Sequence, residues 1–127
     1  MYRHSEIHPS GFIKVIVTEE EFRERISKGV TVVVFTVEWV EESKKLYEEL
    51  LEALRGFNCN VIEVDVSILP SLMVKENVTS IPSVKVYIDG KTVLVQEGTT
   101  GNLKVDVEHI RRALKESMKR RNIPLRK

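Results

Sequence analysis

The chain has 127 residues and one cysteine, Cys59. A lone thiol cannot close an internal disulfide, and no Cys-x-x-Cys pair exists to carry dithiol chemistry or zinc. Long apolar runs are missing too, so no segment reads as a bilayer-spanning helix. The N-terminus, Met1-Tyr-Arg-His-Ser-Glu6, lacks the apolar stretch of a signal peptide, which predicts a cytoplasmic protein. There is no glycine-rich phosphate loop, no nucleophile elbow and no paired-carboxylate constellation. His4 and His8 are four apart and His109 is the third histidine. A metal site needs three or four ligands in fixed geometry, and nothing in the spacing gathers these. Neither a metal nor a cofactor is therefore expected. Glutamine is nearly absent as well, with Gln96 alone among many Glu and Lys, a bias that resembles thermophile composition.

Hydrophobic residues make up 42% of the chain, enough for one soluble domain with one core. The net charge of +1 hides an asymmetry. From Lys104 onward nine Lys/Arg face three Asp/Glu, whereas the preceding residues hold eleven against sixteen. An acidic body thus precedes a basic C-terminal end, in which Lys115, Lys119, Arg120, Arg121, Arg126 and Lys127 cluster. No aromatics interleave with these cations, and no nucleic-acid motif is present, so a solvated, frayed helix end is the simpler reading.

Residues 1–11 read as a flexible lead-in closed by Pro9-Ser-Gly11. A β-branched strand over 12–17 follows, then Thr18 as N-cap before Glu19, Glu20 and Glu21, with Gly29 stopping the helix. Residues 31–37 are nearly all apolar, as in a strand covered on both faces. A helix from Trp39 or Val40 places Leu46, Leu50 and Leu54 on one stripe with Tyr47 and Leu51, and Gly56 ends it. Residues 61–66 alternate as a strand. Ser67 caps a short helix through Glu76, with Pro70 in its first turn. Asp89-Gly90 between alternating runs is a hairpin signal. A last helix starts near Asp106 or Val107 and buries Ile110, Leu114 and Met118. The order β-α-β-α-β-α-β-β-α predicts an α/β fold, with parallel pairing among the first three strands and an antiparallel hairpin at one side.

This order resembles the thioredoxin family. Phe35 and Trp39 match its aromatic positions, Ile81-Pro82-Ser83 matches its Ile-Pro-Thr, and the spacing from Pro70 through Pro82 to Gly90 and Gly98 matches without a gap. The resemblance covers residues 12–118 and leaves 119–127 as a basic tail. It implies a thioredoxin-like three-layer α/β/α fold with a central mixed sheet, and a cis bond before Pro82. It also implies where the chemistry has gone. The two cysteine positions hold Val40 and Ser43; the buried aspartate corresponds to Val34 and its lysine neighbour to Glu63. Without two thiols, thiol–disulfide exchange lacks both its attacking and its resolving group.

The resemblance therefore points to a redox-inactive binding module for a protein or peptide. Its contact surface is expected at Trp39, Val40, Glu41, Glu42 and Ser43, facing Ser80, Ile81 and Pro82. In the family the backbone before the proline pairs with an extended segment, a form of strand addition. Glu41 and Glu42 are read as first-turn acids that favour the helix N-terminus rather than as catalytic acids. Two rivals stand beside this reading. One is a divergent thiol oxidoreductase or peroxidase-like enzyme using Cys59, which the topology places at the opposite end of its strand. The other is a nucleic-acid-associated subunit using the basic C-terminus. Lys85, in a strand position usually apolar, is expected either to reach the sheet edge or to pair with Glu63 or Asp65.

Overall fold

A computed structural model describes residues 15–127. Five strands, β1 (Val15–Ile16), β2 (Val30–Thr36), β3 (Asn60–Asp65), β4 (Ser83–Ile88) and β5 (Lys91–Glu97), form one sheet in the order β1-β3-β2-β4-β5. The β1–β3 and β2–β3 pairs are parallel, and β2–β4 and β4–β5 are antiparallel. Four helices complete the chain: α1 (Glu19–Ile26), α2 (Glu41–Ala53), α3 (Ser71–Lys75) and α4 (Leu103–Arg120).

The two-residue period of β2 explains the layering. Val30, Val32 and Val34 face a core built with Leu46, Tyr47 and Leu50 of α2 and Ile110, Leu114 and Met118 of α4. Val33 and Phe35 face the other way, onto Phe22 and Ile26 of α1 and Leu72 of α3. Every residue of β2 is buried, Thr31 and Thr36 included, as its nearly all-apolar run anticipates. The sheet is thus covered on both faces, and the architecture is the α/β/α sandwich of the expected fold class.

Local signals set the joints. Thr18 caps α1 by accepting from the Glu21 N–H at 3.0 Å. Asp89 and Gly90 both take positive φ, 50° and 86°, as a tight right-twisted hairpin demands. The Asp89 carboxylate also accepts from the Gly29 N–H at 2.8 Å, which ties this hairpin to the α1–β2 corner.

Three boundaries differ from the sequence reading. The α4 helix starts at Leu103, because Asn102 caps it by accepting from the Val105 N–H at 3.1 Å. Ser67 does not cap α3; its N–H and hydroxyl both donate to Asp65 Oδ1, a local turn that delays the helix to Ser71. The C-terminal segment is not frayed. Ile123 and Leu125 pack on the first core, the Asn58 N–H donates to the Leu125 carbonyl at 2.7 Å, and Phe57 and Arg126 form a β-bridge. The predicted strand over 12–17 is represented by β1; its earlier residues, the 1–11 lead-in, His4 and His8 lie outside the described residues. No helix among the described residues is long and apolar enough to cross a membrane.

Candidate functional site

Parallel pairing of β2 with β3 and antiparallel pairing of β2 with β4 bring the end of β2 beside the start of β4, where Phe35 registers against Ser83. The β2–α2 turn and the Ile81–Pro82 loop therefore meet at one end of the sheet. The Ile81–Pro82 peptide is cis. The Gly98 N–H donates to the Pro82 carbonyl at 2.8 Å, which anchors the loop to the end of β5, and the Ser83 hydroxyl donates to the Ser80 carbonyl at 2.6 Å.

The eight anticipated site residues divide by depth. Trp39 is 77% exposed, an unusual state for the chain's one indole. Val40 and Ile81 are half-buried and both pack on the second core. Glu41 and Glu42 are exposed in the first turn of α2, and Ser80 is half-buried. Pro82 is buried at the base of the loop. Ser43 is fully buried, so its side chain is not part of an outer contact surface. Its hydroxyl accepts from the Val37 N–H at 3.2 Å and donates to the Val40 carbonyl at 2.6 Å. This serine closes the β2–α2 turn, a task for which its hydroxyl is a stronger hydrogen-bonding group than a thiol.

Beside Pro82 a cleft of about 170 Å³ opens between Glu42, Lys45 and Leu46 of α2 and Thr99 and Leu103 near the start of α4. Its α4 wall is held by Asp106, a buried carboxylate that takes the Thr99 hydroxyl, the Thr100 N–H and the Thr100 hydroxyl. Burial alone would raise the Asp106 pKa, but these hydrogen bonds outweigh it and hold the group below the ordinary aspartate value. This loop lock escaped the sequence reading, although Thr-Thr-x-x-x-x-x-Asp at a helix start is its visible trace.

The buried acid–lysine pair requires a correction. Val34 and Glu63 do stand opposite each other on β2 and β3, and neither supplies the expected pair. Yet Lys44, the residue after Ser43, reaches down from α2 to Glu63 Oε2 at 2.5 Å and Asp65 Oδ2 at 3.0 Å. The Thr36 hydroxyl adds a 2.8 Å bond to Glu63. An acid–lysine cluster is thus present, with the acids on β3 and the cation on the helix. Burial opposes the charge on Lys44, but the bonds to Glu63 and Asp65 prevail and raise its pKa. Lys85 joins neither acid: its ammonium donates to the Glu76 carbonyl, at the C-terminal end of α3.

Cys59 lies just before β3, at the end of the sheet away from Pro82. Burial pushes its thiol up to about 11, so very little thiolate forms near neutral pH.

The comparisons agree with this geometry. The thioredoxin family model matches residues 13–115. Thioredoxin 1 of Plasmodium falciparum is 34% identical over 83 residues, spanning 64% of this chain and 80% of that protein. A thioredoxin of Staphylococcus saprophyticus is 33% identical over 81 residues, spanning 62% and 78%. Among solved structures, a designed protein superposes with a TM-score of 0.73 at 26% identity, covering 84% of this chain and 97% of its own. A Plasmodium falciparum thioredoxin gives 0.63 at 31% identity, covering 76% and 98%. With its single cysteine away from the β2–α2 turn, and hence no Cys-x-x-Cys site, the chain belongs to the thioredoxin family.

Proposed function

We propose that this protein is a redox-inactive thioredoxin-fold module that binds an extended segment of another protein along the Ile81–Pro82 edge. The observation that carries the reading is the main chain of Ile81. Among the described residues, neither its N–H nor its C=O has a hydrogen-bond partner. It lies next to the buried Pro82, with Val40 packed on the same core. An unpaired main-chain stretch leading into an edge of the sheet, at the same end as an exposed aromatic, can recruit an incoming strand: backbone bonds give affinity and side-chain recesses give selectivity. Trp39 would cover one side of the segment, and the cleft beside Pro82 would take a small apolar side chain.

Loss of both thiols removes the covalent step while leaving this edge intact. The raised thiol of Cys59, at the far end of β3, weighs against a one-cysteine enzyme. The docking of Leu125 and Arg126 onto the Phe57 turn weighs against a free basic arm for nucleic acid. A cytoplasmic setting is part of the reading, since a lone half-buried thiol needs no oxidising compartment.

Two measurements test it. Insulin disulfide reduction with dithiothreitol should proceed no faster with the protein than without it; turnover that disappears in Cys59→Ser would establish the rival. Partners captured from native extract should be lost with Trp39→Ala and Val40→Asp and retained with Lys119→Gln/Arg120→Gln. The reverse pattern would move the working surface to the basic end.

A further inference from the structure

At the end of the sheet away from Pro82, the C-terminus of α1, the turn after α2 and the start of β3 enclose an open cavity of about 330 Å³. Its apolar wall is made by Leu51, Leu54, Phe57 and Val61. Its charged wall is made by Arg25, Arg55 and Lys127, and no Asp or Glu lines it among the described residues. Arg25 is half-buried and forms no ion pair with a described residue. Arg55 shares one bond with Glu52, on an exposed pair that is worth little in water.

The cationic wall is built, not incidental. The Asn58 N–H binds the Leu125 carbonyl at 2.7 Å and its side chain binds the Pro124 carbonyl at 3.1 Å. Arg126 stacks over the Phe57 ring at 5.5 Å. These contacts seat residues 124–126 so that Lys127 lines the cavity, near enough for its charge to act on Cys59. A half-buried guanidinium with no described carboxylate in ion-pair contact keeps donors for a ligand, and its planar fork suits a carboxylate or phosphate. The volume sits at the lower end of the range for small-molecule sites, ~300–1,000 Å³.

We propose that this cavity binds a small amphiphilic anion, with a carboxylate or phosphate head on Arg25, Arg55 and Lys127 and an apolar body against Leu51, Leu54 and Phe57. The cavity lies at the opposite end of the sheet from the Pro82 edge.

Titration of isotope-labelled full-length protein with octanoate and with octyl phosphate, followed by amide NMR, tests it. Saturable shifts are expected at Arg55, Cys59 and Asn60, whereas Ile81 and Trp39 stay still. The two arms rank the head groups. Octanol and inorganic phosphate, each lacking one half of the ligand, should bind at least ~10-fold more weakly. Arg25→Gln and the exposed, terminal Lys127→Gln should each weaken octanoate or octyl phosphate by roughly 5–10-fold with an unchanged fold by circular dichroism. The proposal is overturned if neither anion shifts these amides, if octanol binds as tightly as the anions, or if both variants bind unchanged.

Discussion

Lys44 of α2 places its ammonium 2.5 Å from the buried carboxylate of Glu63 on β3, one turn below the helix start that the family uses for chemistry. Glu63 and Asp65 are 2% and 1% exposed, so this one cation compensates two acids that water hardly reaches. Lys44→Met would leave both uncompensated. Breaking a buried pair costs ~3–5 kcal/mol; because the Lys44 side chain keeps 30% of its exposure, about 2–4 kcal/mol is expected here. Urea unfolding of Lys44→Met, with Glu63→Gln and the double variant completing the cycle, measures the coupling. A loss under ~0.5 kcal/mol would mean the cluster is only a surface pair.

The same group sets a basic limit. The Lys44 pKa is raised above its ordinary 10.5 in the folded state, so folding favours its protonated form. Its stabilisation is complete below 10.5 and is lost as pH climbs through the raised value. Thermal melts should therefore fall in this alkaline window for the native protein, and fall less for Lys44→Met.

Asp106 sets the opposite limit. Its folded pKa lies below the ordinary 3.8, so its contribution is present above that value and lost as pH drops through the folded one. Asp106→Ala removes the acceptor for Thr99 and Thr100 and should cost about 2–3 kcal/mol. It should also flatten the acid side of the stability profile. An unchanged acid midpoint in the variant would show that another carboxylate governs acid unfolding.

Val40→Cys with Ser43→Cys should produce a reducible pair. The Ser43 side chain already points back at residue 40, with its hydroxyl 2.6 Å from the Val40 carbonyl. Positions three apart at a helix start fall near the ~5.5–6 Å Cα separation of a disulfide. Mass spectrometry after mild oxidation should show a loss of two hydrogens. Two free thiols under every oxidising condition would contradict the turn geometry.

Gly56→Ala tests the seating of the chain end. Gly56 has φ +89°, and an added Cβ would lie 2.9 Å from Arg126 Nη1. The left-handed backbone costs roughly 1–2 kcal/mol with any L side chain. Displacing Arg126 should in addition move the amides of Asn58 and Leu125 in NMR spectra. Stability equal to the parent protein would show that the turn relaxes freely.

The sheet and its two coats of helices were legible because burial on both faces leaves a nearly all-apolar strand such as 31–37, and because Asp89-Gly90 fits few backbones other than a hairpin. The candidate loop was legible through Ile81-Pro82-Ser83 at the right distance from Trp39. Depth was not legible. Ser43 stands in a cysteine position, yet its hydroxyl is consumed by Val37 and Val40, and only coordinates reveal that. Lys44 was overlooked because its acids lie 19 and 21 residues further along, on a strand whose register with the helix no local pattern encodes. Lys85 finds a main-chain carbonyl, a partner without a side-chain signature. The docked segment did leave a trace: Ile123 and Leu125 are apolar residues in a tail rich in Lys and Arg.

Because β2 contributes alternate side chains to both cores, neither half of the molecule can open without exposing part of the other. Amide protons of β2 should accordingly exchange only through global unfolding, with one common opening free energy, while those of β5 escape by local fraying. The protein would then be a single cooperative unit hung on one strand, with the Pro82 loop and the Phe57 turn at opposite ends of the sheet left outside that unit.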